Sequence, residues 1–257
     1  MQLTGPFAQG VVTLSPMRMI LLWIALALAC GSAHAAQFSV LVFSKTGGWR
    51  HDSIPAAAAA IQELGKQHDF NVEWTEDAEQ AFSDRALGKY QAVVFLLTSG
   101  DILDAQQKAA FERYIRAGGG YVGVHSASDT EFGWPWYTKL VGHMFTQHPE
   151  IQTAVLKVED RNFPGMENFE PRTLVTEEWY NFTPAAGKLE YLLTVDETSY
   201  KPGPKAMGAF HPVSWYHHFE NGRAFYTALG HLPGSYKDPL LRQHLYGGIY
   251  WAATGKQ

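Results

Sequence analysis

Eleven histidines punctuate this 257-residue chain. His51, His125, His143, His148, His211, His217, His218 and His231 stand outside the helices that the sequence predicts, at strand ends or in loops. His68 and His244 fall inside predicted helices and read as solvated surface residues. Imidazole serves near neutral pH either as a metal ligand or as a proton carrier. A zinc site needs three or four His or carboxylate ligands, and His125, Asp129, His143, Glu178 and His231 could supply them. No H-x-x-x-H or H-E-x-x-H pair supports that use, so a divalent metal such as zinc stays one alternative. The other is metal-free acid–base chemistry, with His125 working against Asp129 or Glu178. Glu177 and Glu178 are adjacent, so in an extended segment they point to opposite faces and only one meets a ligand; Glu178 is the expected one.

Aromatic residues make up 14% of the chain and gather beside polar groups. Trp134-Pro135-Trp136-Tyr137, Trp179-Tyr180-Asn181-Phe182 and Trp215-Tyr216-His217-His218 are the three clusters. Flat rings next to hydrogen-bonding side chains suit a sugar, which has an apolar face and a hydroxyl rim. The same rings could instead fill a core beneath long loops.

Such groups need a scaffold to bring them together. The run from Gly118 through Gly120, Val124, His125 and Ser126 to Asp129 reads as a helix end, a tight turn, a buried strand and polar groups at that strand's carboxyl end. Open parallel sheets bind their ligands just beyond such ends. Gly118, Gly120 and Gly123 also spell G-x-G-x-x-G, but a helix precedes them and a strand follows, the reverse of a nucleotide site. Glycines that stop a helix explain the same letters.

Apolar segments over 38–44, 70–75, 90–97 and 121–124 alternate with amphipathic helices over 54–67 and 103–117. That order predicts an α/β fold with a parallel sheet covered on both faces. Ser53 is the expected N-cap of the first helix and Pro55 lies in its first turn. The first strand leads to His51, the fourth to His125, and a strand over 223–229 to Gly230-His231. Further strands are expected over 151–159, 189–195 and 213–217, with a closing helix over 239–254. Residues 160–173 read as irregular. No repeat or linker divides the chain, which predicts one domain over 37–257.

Residues 1–36 read as a signal peptide: Arg18, an apolar run from Ile20 to Ala29, and Ala33-His34-Ala35 as a cleavage site. Met17 or Met19 could be the start, and Cys30 is a possible lipid attachment point. The expected location is periplasmic or secreted, with no membrane contact after leader removal. Cys30 is the one cysteine, so the mature chain has no thiol nucleophile and no disulfide. Losing Arg18 takes the net charge from −5 to −6, and no basic cluster invites nucleic acid. A small carbohydrate is the expected partner, and a homo-oligomer is possible.

Taken in order, the motifs resemble the ThuA-like (trehalose utilisation) family over nearly all of 38–254. The resemblance rests on Trp49-Arg50-His51-Asp52-Ser53, Thr98-Ser99-Gly100-Asp101, the run from Gly118 to Asp129, and Trp136-Tyr137 with Leu140-Val141-Gly142. It continues in His148-Pro149, Glu178-Trp179-Tyr180-Asn181-Phe182, Asp196-Glu197, His211-Pro212 with Trp215, and the run from Gly222 to His231. It implies a flavodoxin-like three-layer sandwich with a mainly parallel central sheet, as in class I glutamine amidotransferases. It also implies a role in disaccharide or oxidised-sugar metabolism, with His51, His125, Asp129, His148, Glu178, His211 and His231 at the site. His125-Ser126 stands where an amidotransferase has its cysteine, so His148-Pro149-Glu150 has no nucleophile to serve. Two positions depart from the family pattern: Phe210 where relatives carry Asp, and Phe163-Pro164 where they carry His-Pro. Both changes are expected to remove a polar group near the site.

The combined expectation is an exported enzyme that hydrolyses, eliminates or isomerises a disaccharide or keto-sugar. His125 would be the acid–base, Asp129 or Glu178 would orient it, His231 would bind a hydroxyl or carbonyl, and Trp136 and Trp179 would stack on the ring. Tyr137, Tyr180, His51, His148 and His211 would complete the contacts. The alternative is a non-catalytic carbohydrate-binding module on the same scaffold.

Overall fold

Strand β1 (Ser39–Phe43) is buried along almost its whole length, as a central parallel strand must be. It pairs in parallel with β2 (Asn71–Thr75) on one side and β3 (Ala92–Leu96) on the other. β4 (Gly120–Val124) continues the parallel set from β3, and β11 (Gly222–Thr227) joins β4 in parallel. These five strands are the flavodoxin-like centre of a nine-stranded sheet. Antiparallel strands extend it beyond β11 in the order β10 (Pro212–Phe219), β9 (Glu190–Asp196), β6 (Gln152–Val158) and β7 (Arg172–Glu177). A two-stranded sheet of β5 (Phe145–Gln147) and β8 (Asn181–Phe182) stands apart.

Helix α1 (Ile54–Gln67) buries its alanine-rich face and packs with α6 (Pro239–Thr254) on one side of the sheet. The other side carries α2 (Ala78–Ala81), α3 (Asp84–Leu87), α4 (Ala105–Arg116) and α5 (Pro135–Val141), joined by Phe111 against Trp134 and Trp136. Three layers result. Asp104 starts α4 with a reciprocal cap: its carboxylate accepts the Gln107 N–H at 2.8 Å, and the Gln107 side chain accepts the Asp104 N–H at 2.9 Å. Gly118, at φ +100°, ends the same helix, which confirms the punctuating reading of that glycine run.

The structure, a computed structural model, describes residues 1, 2, 5 and 35–257. Arg18, the run from Ile20 to Ala29 and Cys30, on which the signal-peptide expectation rests, lie outside the described residues. Ala36–Gln257 forms one compact unit. Among the described residues, no helix is long and apolar enough to cross a membrane.

Three local expectations need correction. Ser53 does not cap α1 through its side chain; it lies in helical φ/ψ and its hydroxyl reaches the Gly230 carbonyl at 3.4 Å. The end of the segment read as irregular enters β7, an edge strand whose alternating exposure hides it from a search for apolar runs. His244 is fully buried rather than solvated, because α6 is covered by the sheet, α1 and the 160–170 loop. Its Nε2 lies 3.0 Å from the Ser214 hydroxyl.

Candidate active site

Four side chains converge at one edge of the sheet. His51 ends the loop after β1, His125 immediately follows β4, Glu178 immediately follows β7, and His231 lies just past β11. The antiparallel steps from β11 through β10, β9 and β6 return β7 to the direction of β1, so all four positions lie beyond strand carboxyl ends. One ligand atom from each of these residues falls within 4.8 Å of the other three. Sequence spacing could not reveal this, since it does not fix distances across a sheet.

The chain turns sharply to present His125. Its φ of +51° is sparsely populated for a residue with a side chain, and the surroundings hold it there. The Tyr226 hydroxyl donates to the His125 carbonyl at 2.7 Å, and the imidazole Nδ1 lies 2.7 Å from the Ala228 carbonyl. A carbonyl only accepts, so Nδ1 is the donor there and Nε2 is the atom turned to the cluster. Nε2 faces Glu178 Oε2 at 3.4 Å and His231 Nδ1 at 3.3 Å. His231 Nδ1 lies 3.0 Å from the same carboxylate oxygen. His51 approaches edge-on, its ring centre 4.8 Å from that of His125, and its Nδ1 lies 3.4 Å from the Ser126 hydroxyl.

The charges follow from this packing. Burial, with His125 and His231 alongside, lowers the His51 pKa to about 3 and leaves that ring neutral. The hydrogen bond to Glu178 raises His231. Burial pushes the Glu178 carboxyl up, but hydrogen bonds with His125 and His231 outweigh it and hold the group well below the usual carboxylate range. Asp129 is raised by burial, against the opposing pull of His125.

Three imidazoles and a carboxylate gathered this closely suit a cation. The donor set of three imidazole nitrogens and one carboxylate oxygen is one that zinc favours. The Ala228 carbonyl behind His125 is the kind of outer partner that fixes a ligand's tautomer. These residues therefore fit a divalent metal.

Glu177 supports the site from the opposite face. Its buried carboxylate accepts the N–H groups of Gly230, His231 and Glu178 at 2.8, 3.1 and 3.0 Å. The alternation that puts the two neighbours on opposite faces explains this, although sequence reasoning gave Glu177 no task. His148 stands at the mouth, its Nδ1 3.2 Å from Glu178 Oε1. The Tyr180 ring walls the cluster, centred 4.2 Å from His125.

Several expected contacts lie elsewhere. Trp179 points away from Glu178 into the core and donates to the Gln152 carbonyl at 2.8 Å. Tyr137 is fully buried, bonded to Tyr121 and the Ala127 carbonyl. Trp136 stacks on Trp134 and donates to Glu220 at 3.1 Å, while Trp215 is fully buried. The aromatic clusters thus mainly build the core. His211 bridges Glu197 and the Tyr180 carbonyl, at 2.9 and 2.8 Å, one step behind the site. His143 is taken up by the Thr183 carbonyl and the Tyr191 hydroxyl, and His217 by the Leu140 carbonyl. Phe163 packs against Phe225 and Trp251, so its departure from the family pattern changes the core rather than the cluster. Phe210 packs on Tyr191 and is partly exposed.

The sheet and its cluster define a flavodoxin-like α/β protein with a His/Glu centre beyond the strand carboxyl ends. Residues 39–252 match the family model ThuA, described as trehalose utilisation, and the chain belongs to that family. A ThuA-like protein from Bacteroides uniformis superposes with a TM-score of 0.74 at 23% identity, covering 89% of this chain and 96% of that one. One from Parabacteroides merdae gives 0.70 at 19% identity, covering 85% and 91%. A β-galactosidase from Bacillus circulans gives 0.51 at 14% identity, covering 82% of this chain but 30% of its own. At these identities the likeness is one of fold. A search of curated protein sequences finds no match.

Proposed function

We propose that this chain transforms a disaccharide or keto-sugar at a divalent-metal centre, zinc by its donor set, held by His51, His125, Glu178 and His231. The observation that carries the reading is the convergence of one ligand atom from each of these four side chains within 4.8 Å, with His125 Nδ1 held by the Ala228 carbonyl and Nε2 turned to Glu178 and His231. When bound there, such a metal would polarise a carbonyl or hydroxyl oxygen and lower the pKa of a water. The family's description as trehalose utilisation supports a sugar substrate.

The remaining tasks fall to the chain's own groups. Asp129, half-buried beside His125 with a raised pKa, is suited to take a proton and return it, as isomerisation, elimination or hydrolysis each requires. His148, exposed at the mouth, contacts Glu178 and can hold a substrate hydroxyl. Tyr180 closes one wall and limits water. The leader read over residues 1–36 makes the protein exported, periplasmic or secreted.

The test is proton NMR over time of purified zinc-loaded protein with disaccharides and their ketone forms, with and without a chelator. New anomeric signals that the chelator abolishes are expected. Saturation transfer to a sugar without new signals would leave the non-catalytic binding module instead. Turnover indifferent to the chelator would remove the metal from the reading.

A further inference from the structure

The rings first expected to stack on a sugar are occupied in the core, yet two other large rings at the same sheet edge stand in solvent. Trp49 is 71% exposed and Phe132 is 54% exposed. Trp49 precedes His51 by two residues, a separation that spans at most about 7 Å. Phe132 follows Asp129 by three.

Neither ring is exposed because its loop is loose. The Gly47 and Gly48 N–H groups donate to the Ser99 carbonyl at 2.7 and 3.2 Å, and the Ser99 hydroxyl donates to the Trp49 carbonyl at 2.5 Å. A Cβ on Gly47 would lie 2.4 Å from the Asp101 carbonyl oxygen, so only glycine permits this approach. Arg50 is clamped to Glu76 by two hydrogen bonds of 3.0 and 2.7 Å. On the other side, Gly100 N–H donates to the Asp129 carbonyl at 2.8 Å, and Glu131 N–H donates to the Gly100 carbonyl at 3.1 Å. The fully buried Glu131 carboxylate accepts the Ile102 and Leu103 N–H groups at 2.9 and 2.8 Å and pairs with Lys108. Both rings therefore project from backbones fastened to the same loop, residues 99–101.

A rigid backbone that holds apolar rings out of the core presents them to something. Exposed carboxylates accompany them: Asp52 follows His51 directly, and Asp101 belongs to the loop that fastens both backbones. Aromatic faces flanked by hydroxyl-accepting carboxylates match a pyranose ring, apolar on one face and hydroxylated around its edge.

We infer that Trp49 and Phe132 form an aromatic rim that takes a second sugar ring while the first lies at the His/Glu cluster. The substrate is then a disaccharide or larger glycoside rather than a monosaccharide. This rests on the sugar reading above and narrows it.

The test compares wild type with Trp49→Ala, Trp49→Phe and Phe132→Ala, all zinc-loaded. The probes are trehalose oxidised to a ketone on one ring and glucose oxidised in the same way. Trp49→Ala and Phe132→Ala should each raise KM for the disaccharide about tenfold, the scale of one lost aromatic contact, with kcat little changed. Trp49→Phe should keep most of the affinity, and all variants should bind zinc and handle the glucose probe like wild type. If wild type acts on the disaccharide and the two alanine variants match it, the rim is refuted and the sugar reading survives. If wild type neither binds nor alters any sugar, both fail together. A wild-type dimer that Trp49→Ala converts to monomer in sedimentation would make the ring a protein contact and also refute the rim.

Discussion

The carboxylate of Glu177 lies beneath the backbone of His231 and accepts its N–H at 3.1 Å. With the further bonds from Gly230 and Glu178, one buried side chain fixes the backbone of two members of the cluster. Glu177→Ala strands three buried donors and should cost about 2–4 kcal/mol of stability. In variant that still folds, zinc affinity should fall about 10–100-fold, the usual effect of losing an outer-shell support. Urea unfolding and zinc titration read the two effects. Unchanged zinc affinity would show that His231 does not depend on this anchor.

His125→Ala removes the central imidazole without touching the core strands. Turnover should disappear while circular dichroism stays native; the melting transition falls, because the buried ring leaves a gap and the Ala228 carbonyl loses its donor. His143→Gln is the contrast, since the Thr183 carbonyl and Tyr191 hydroxyl already occupy both its ring nitrogens. It should keep zinc and kcat even where stability falls. Activity surviving in His125→Ala, or lost in a folded His143→Gln, would reverse the assignment.

Trp179 separates packing from recognition. It is 1% exposed, so Trp179→Phe loses the bond to Gln152 and leaves a gap. A loss of about 1–3 kcal/mol is expected. KM for a sugar should not change in the folded variant, and a raised KM would restore Trp179 as a ligand contact.

The pH dependence of stability has one clean source in His244. Burial lowers its pKa to about 3, and Nδ1 has no partner to hold a proton. Unfolded His titrates near about 6.5, so between those values the unfolded chain binds a proton that the folded chain refuses. Stability from this group is therefore lost as pH falls below about 6.5. Between pH 7 and pH 5 wild type should lose about 2 kcal/mol more than His244→Gln, whose amide can still reach Ser214. Parallel losses in urea titrations at the two pH values would contradict this.

Much of the fold was legible because its central strands are continuous apolar runs and its helices carry explicit stops, such as Asp104 before α4 and Gly118 after it. β7 escaped because an edge strand alternates with solvent. Of the cluster, His51, His125 and His231 announced themselves as polar residues after predicted strands. Alternation showed that only one of Glu177 and Glu178 can meet a ligand; that it is Glu178 is visible only in the fold. Their convergence was not legible, since four antiparallel crossings separate β7 from β11. The aromatic clusters misled because a ring written beside polar letters can still point inward, as Trp179 does beside Glu178. Trp49 carried no such neighbourhood signal; its exposure is a property of the folded loop.

The most direct test is calorimetric titration of metal-free protein with zinc, wild type beside Glu178→Gln. Three imidazoles and one carboxylate on a single ion predict one zinc per wild-type chain and much weaker binding in the variant, which keeps the side chain's shape but loses its charge. Wild type that takes up no zinc, or Glu178→Gln that binds it as tightly, would contradict the metal centre.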